Sequence, residues 1–378
     1  MKYLTTAAFA LGLTATSAFA GSIQRATDPS QILFERGKNY LQFSVTYADA
    51  DISGTSSGFS ALGGFVTQPA GVSSGDIAQS FLSYSVGLKV ELTDKLTFAL
   101  VGNNPVGADV QYASNNLPYL FSGSSAEISS TAITGYLKYN ITDRWSVYGG
   151  VRATSVDGQV NLAPDLAASN PLFAAANYTL DVSPDIGWGY VLGAAFTIEE
   201  ILMKFALTYE SKTEHDFADN DGVPFTVEIP QSVTLHARSA VSEQMLVFGS
   251  IRWQEWSEFE VAPQDFLGNA LNTSALPIAF GAGDYTTYEV GVARRLTQKF
   301  SLIGTFTYEP DSGNPVGNLE GRDGFLAYGI AGRYSTPTYD ITAGVRYIDL
   351  GPTNTTTINS QFAGNDAIAF GLQLGYRF

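Results

Sequence analysis

Few residues in this chain could carry covalent chemistry. Cysteine is absent, and His215 and His236 are the only two histidines among 378 residues. Hydrolysis needs an imidazole held beside a serine, asparagine or aspartate. Glu214-His215-Asp216 stands at the edge of a polar stretch, where a solvated cluster explains it better than an acid–base pair does. Asp219-Asn220-Asp221-Gly222 spaces its oxygens somewhat like a calcium loop but lacks the downstream glutamate of an EF-hand. There is no glycine-rich phosphate cradle and no zinc constellation, so no cofactor and no metal are implied. These residues point to binding or transport and away from an enzyme.

The remaining polar chemistry is cationic and aromatic. Arg152, His236, Arg238, Arg252 and Arg346, with Tyr136, Tyr148 and Phe248, fall on one parity of their segments, the parity opposite the greasy one. Turned into an enclosed space, one such arginine could hold a carboxylate by two charge-assisted hydrogen bonds while aromatics hold an apolar tail. Alternatively, these arginines brace the interior against acids of the same parity, Glu91, Glu210 and Glu289.

The elements that position them repeat every second residue. Ile368, Phe370, Leu372, Leu374, Tyr376 and Phe378 alternate with Ala369, Gly371, Gln373, Gly375 and Arg377. The same rhythm recurs in 82–92, 133–141, 203–210 and 247–253, and a helical period matches none of these windows comparably. Short polar turns fall at Thr93-Asp94, Thr142-Asp143, Glu199-Glu200, Ser242-Glu243, Thr297-Gln298 and Thr336-Pro337. Between them lie longer loops at 50–79, 104–126, 157–182, 212–223, 257–282, 311–323 and 351–365. Six turns alternating with seven loops predict about 14 strands, with both ends of the chain on the short-turn side. The fold class is therefore all-β, a transmembrane antiparallel β-barrel. Tyr84, Tyr139, Trp145, Tyr209, Trp253, Tyr347 and Tyr376 are expected in its interfacial aromatic girdles.

Composition agrees with this reading. Charged residues make up 15% and aromatics 13%, with 24 Phe and 20 Tyr, against about 25% charged in ordinary soluble domains. The formal charge of −16 disfavours nucleic acid, whose binding relies on cations. Residues 1–20 read as a signal peptide, with Lys2, an apolar run from Ala7 to Leu13, and Ala18-Phe19-Ala20 before the cleavage point. Residues 21–39 then form a hatch or plug segment in which Phe34 stands ready to stop the lumen, and 40–378 form the barrel. The outer membrane of a Gram-negative bacterium, its lipid and lipopolysaccharide, the barrel-assembly machinery and a monomeric state complete the expectation. The closing strand, ending on Phe378, looks like the one that machinery recognises.

Particular segments resemble the OMPP1/FadL/TodX family of outer-membrane transporters. Pro230-Gln231-Ser232-Val233, followed by Trp253-Gln254-Glu255-Trp256-Ser257-Glu258-Phe259, is similar to the family's central strands. Asn104-Pro105-Val106-Gly107 is similar to its motif after the third strand, and Tyr308-Glu309-Pro310 with Gly321-Arg322-Asp323 to a later loop. The resemblance implies a 14-stranded barrel with an inward-folded hatch, outer-loop grooves that take hydrophobic ligand, and a third-strand kink opening towards the bilayer. Asn103, Asn104 and Pro105 match that kink, since proline removes a ladder donor. The family's hatch carries Asn-Pro-Ala where this chain has Asp28-Pro29-Ser30.

Two outer loops are unusually apolar. Leu166, Leu172 and Phe173 in one, and Phe266, Leu267 and Leu271 in the other, suit capture of a greasy ligand or mutual packing as a lid. The function expected is passive uptake of long-chain fatty acids or similar hydrophobic molecules, aromatic hydrocarbons included. The rivals are a hydrophilic diffusion porin and a structural or adhesive barrel.

Overall fold

The computed structural model describes residues 23–25, 28–61, 64, 66–169, 174, 177–268, 272 and 275–378. The signal-peptide expectation and the loop residues Leu172, Phe173 and Leu271 lie outside the described residues.

Fourteen strands pair antiparallel and close on themselves. They are β1 (Asn39–Asp51), β2 (Phe81–Glu91), β3 (Leu96–Asn103), β4 (Ser125–Asn140), β5 (Trp145–Leu162), β6 (Tyr178–Ile198) and β7 (Met203–Glu210). The second half comprises β8 (Ser232–Ser242), β9 (Met245–Gln254), β10 (Tyr285–Arg295), β11 (Phe300–Glu309), β12 (Phe325–Ser335), β13 (Tyr339–Leu350) and β14 (Asn365–Arg377). β1 closes the ring against β14, with Leu41 opposite Tyr376 and Phe43 opposite Leu374. Closure leaves no strand edge exposed to hydrocarbon, where an unpaired backbone group would cost several kcal/mol. Every strand turns apolar side chains outward on alternate positions, from Leu41 and Phe43 on β1 to Phe370 and Tyr376 on β14. A water-facing surface so greasy would aggregate, whereas lipid solvates it.

The six short turns fall where the sequence predicts them. Four share one local device. Thr93, Thr142, Thr297 and Thr336 each accept, through the hydroxyl, the backbone N–H of the residue three positions on, at 2.9–3.0 Å. Those donors, Leu96, Trp145, Phe300 and Tyr339, open the next strand with an outward or interfacial side chain, so one threonine sets both the turn and the register.

At the opposite end the walls rise higher than the turn signals suggest. The sequence places a loop over 157–182, but β5 runs to Leu162 and β6 starts at Tyr178. A bulge between Val156 and Gly158 shifts the register, and Val160, Leu162 and Leu180 keep an apolar inner face above it. Likewise, the expected loop 212–223 is a hairpin of Thr213–Ala218 with Pro224–Ile229, turned at Gly222 with φ +80°. Two apolar clusters fill the space beneath the outer loops, one around Tyr112, Tyr119, Ile348 and Phe362, the other around Phe217, Trp256 and Phe259.

Candidate transport site

The lumen is built from the N-terminal segment upward. Pro29–Phe34 forms a 3-10 helix inside the barrel. Asp28 caps it, accepting the Ser30 N–H at 2.9 Å, and Pro29 at the first helical position has no N–H to satisfy. Asp28 Oδ2 also accepts from the Thr208 hydroxyl at 2.8 Å and faces His236 Nε2 at 3.3 Å, tying the helix to β7 and β8. On the other wall Ile32 packs against Gly87, where a Cβ would stand 2.4 Å from Ile32 Cδ1. A larger residue at this position would push the end of Ile32 aside. Lys89 on β2 donates to the carbonyls of Glu35 and Gly37, both at 2.7 Å. Phe34 meets Tyr148 edge-on at 5.5 Å, and the Lys138 and Lys204 ammonium groups lie 5.0 and 4.4 Å from its ring centre. Phe34 thus sits in a cationic and aromatic collar at the short-turn half of the lumen.

β3 loses its ladder after Asn103, and pairing with β4 resumes only at Ala108–Gln111. Pro105 explains the break. Other groups take up the freed backbone positions. The Asn104 carboxamide oxygen accepts the Tyr84 N–H at 2.8 Å and the Ser83 hydroxyl at 3.2 Å. Val106 N–H donates to Ser130 Oγ at 2.9 Å. From inside, the Gly107 N–H donates to the Ile23 carbonyl and the Arg25 N–H to the Pro105 carbonyl, both at 2.8 Å. The N-terminal segment therefore patches the interrupted wall.

Beside this patch lies a polar chamber of about 450 Å³, lined by Gln24, Asn103, Pro105, Arg152, Glu210, Arg252, Gln254 and Trp256 among others. Glu210 is its hub. Its two oxygens receive Arg152 and Arg252, the latter at 2.8 Å, and Ser232 adds a hydroxyl at 3.1 Å. Arg252 also donates to Thr234 at 2.7 Å. Sharing Ile229 with this chamber is an apolar cavity of about 630 Å³, counted to its open mouth. It lies between the tall inner walls of β4, β5 and β6, the 213–229 hairpin and the loop after β9; Ile23, Val156, Leu180, Val182, Phe217 and Phe225 line it.

The sequence-derived residues divide accordingly. Arg152 and Arg252 meet at the chamber, braced by Glu210. His236 serves the hatch, and Tyr136 and Tyr148 pack in the cluster around Ile32 and Leu33. Arg238 lies near Glu35 and Arg36, and Arg346 near Glu289 and Glu309. Phe248 lies in a different cluster, with Leu246, Ala293 and Ile303, away from the chamber. In the loops, Phe266 packs on Tyr178 at 4.8 Å and Leu267 is half-buried beside it, while Leu166 packs against the Tyr112 cluster. His215 differs from the solvated expectation: it is fully buried on the inner face of the hairpin, stacked at 6.5 Å with Phe217. Asp219 is likewise used internally, accepting the backbone N–H groups of Asp221, Val223 and Asp265.

Three features of the lumen were not foreseen: the contacts by which Asp28 ties the helix to Thr208 and His236, the wall patch Ile23–Arg25, and the hairpin's contribution to the cavity. The hairpin had a signal. Phe217 before and Phe225, Val227 and Ile229 after Asp221-Gly222 keep one parity, the mark of a two-strand turn.

A closed barrel with a short helix inside its lumen, an interrupted third strand and an apolar cavity under its outer loops belongs to the class of outer-membrane transporters. More particularly, the family described as outer membrane protein transport protein (OMPP1/FadL/TodX) matches residues 7–318, and the chain belongs to it. Its members are transporters and not enzymes. The crystal structure of a Pseudomonas aeruginosa FadL homologue superposes with a TM-score of 0.72 at 18% identity, over 93% of each chain. The Pseudomonas putida toluene transporter TodX gives 0.61 at 13%, over 93% of this chain and 92% of that one. The Ralstonia pickettii toluene transporter TbuX gives 0.60 at 12% with the same coverage. No curated protein sequence matches it.

Proposed function

We propose that this protein carries long-chain fatty acids or similar small hydrophobic molecules, aromatic hydrocarbons included, across the outer membrane down their gradient. Phe266, Leu267 and their neighbours receive the guest at the loops. The cavity between Val182 and Phe217 holds it, and the polar chamber passes it towards the break at Asn103-Asn104-Pro105, where it leaves sideways into lipid. The observation that carries this reading is the apolar cavity itself, dry-walled and adjoining a chamber at the strand break. A porin needs an open, wetted constriction; here the 3-10 helix and Phe34 stand in the way. The names of TodX and TbuX as toluene transporters fit the same chemical class.

The test uses proteoliposomes. Labelled oleate and labelled toluene are expected to enter faster through the protein than through bare lipid, with no swelling in arabinose. Rapid arabinose swelling, or no enhancement for either label, would refute the reading.

A further inference from the structure

The polar chamber contains unmet hydrogen-bonding groups. Trp256 is 1% exposed and Gln254 4% exposed, and both line the chamber. Trp256 Nε1 and Gln254 Oε1 are buried without a hydrogen-bond partner among the described residues, as is Arg252 Nε. A buried polar atom left unpaired is costly, so three of them around one space call for a polar guest group there. Trp256 and Arg252 offer donors, and the Gln254 carboxamide can turn to offer either a donor or an acceptor. The complementary group is an oxygen with free lone pairs.

Charge narrows the class. The Arg152 and Arg252 guanidinium ends are already committed to Glu210. Asp28 adds a second buried carboxylate within electrostatic reach of Glu210. His236 and Lys204 answer Asp28, which leaves the two guanidinium groups to Glu210; an incoming carboxylate would bring a negative charge that competes with Glu210 for them in a buried site. An uncharged oxygen brings none. Meanwhile the apolar cavity begins at Ile229, next to the chamber, and has room for a hydrocarbon body.

We infer that Gln254, Trp256 and Arg252 form a head-group pocket for an uncharged, oxygen-bearing amphiphile such as an alkanol, whose apolar body lies in the neighbouring cavity. The inference rests on the transport reading and narrows it: among the hydrophobic molecules named there, the chamber favours those with an uncharged oxygen over fatty-acid carboxylates. Sites built to hydrogen-bond an oxygen reject the analogue that lacks it, because their own groups are then stranded.

The experiment measures competition against radiolabelled octan-1-ol on the whole barrel held in amphipol, with octan-1-ol, octanoate and octane as probes. Octan-1-ol is expected to compete about tenfold better than either of the others. Trp256→Phe and Gln254→Leu should each weaken octan-1-ol about five- to tenfold and leave octane unchanged. Glu210→Gln should move the preference towards octanoate. Should Trp256→Phe fail to give the heat-modifiable folded form, Gln254→Leu decides alone. Octanoate outcompeting octan-1-ol in the native protein would overturn the inference, as would octan-1-ol affinity unmoved by Gln254→Leu. Failure of the transport reading looks different: Val182→Asp, placed in the apolar cavity, would then leave all three probes unaffected.

Discussion

At the scale of single residues, Glu210 is the hub of the polar chamber. It is buried, and two arginines and Ser232 converge on it. Removing one partner of a buried ion network strands the others, which costs more than the network itself contributes. Glu210→Ala should therefore lower unfolding stability by about 3 kcal/mol, read from urea titration of the heat-modifiable band. Glu210→Gln, which keeps hydrogen-bonding oxygen and shape, should lose less. His215 makes a second prediction. Burial lowers its pKa below the ordinary imidazole value of 6.5, outweighing the opposing pull of the Asp185 carbonyl and the charges of Asp185 and Asp216. The neutral form is thus the folded form. Its contribution is complete above 6.5 and is lost as pH falls through the lowered value. Hydrogen-exchange protection over 213–229, taken relative to the intrinsic rate at each pH, should fall between pH 7.5 and 5, and His215→Phe should abolish that dependence. Equal protection at both pH values in the native chain would contradict it.

At the scale of elements, the break after β3 is the informative one. Pro105 made an interruption legible, because a residue without an N–H cannot sit in a central ladder. What the sequence could not display is how the gap is closed. Asn104 folds back onto Tyr84, and Ile23–Arg25 pairs across it from eighty or more positions away in the chain. Local rules see turns and periods, and a contact between distant segments leaves no period to read. The hatch shows the same limit. Asp28-Pro29-Ser30 was readable as a departure from Asn-Pro-Ala, yet aspartate caps the helix as asparagine would and gains His236 and Thr208 besides. Asn104→Ala should leave the Tyr84 N–H without its acceptor, costing about 1–2 kcal/mol and raising ion leak in planar bilayers. An unchanged conductance baseline would mean that the wall is sealed by the N-terminal segment alone.

At the scale of the whole molecule, strand number, parity and turn side were legible because lipid imposes them. An apolar side chain at every second position and a turn after every strand pair are demanded by hydrocarbon outside and a closed ladder within. The interior is under no such rule. Arg152, Arg252 and Glu210 face inward as parity required, but which of them meet depends on barrel curvature and on the long-range pairing that sets Arg152 opposite Gly189 and Glu210 opposite Val191. Phe248 has the right parity and the wrong height, and so lies in another cluster. Rim height was misread for a related reason. Polar outer faces at 157–162 and 178–182 disguise strands whose inner faces stay apolar.

The account stands or falls on whether a hydrophobic molecule occupies the space between β4, β5, β6 and the 213–229 hairpin. A diazirine-bearing fatty-acid probe, photolysed with the barrel in native-like lipid and mapped by peptide mass spectrometry, addresses that directly. Crosslinks should fall on 156–160, 180–182 and 217–229 and fade with excess unlabelled oleate. Labelling confined to lipid-facing positions such as Leu137, Trp188 and Phe370, and indifferent to oleate, would contradict it.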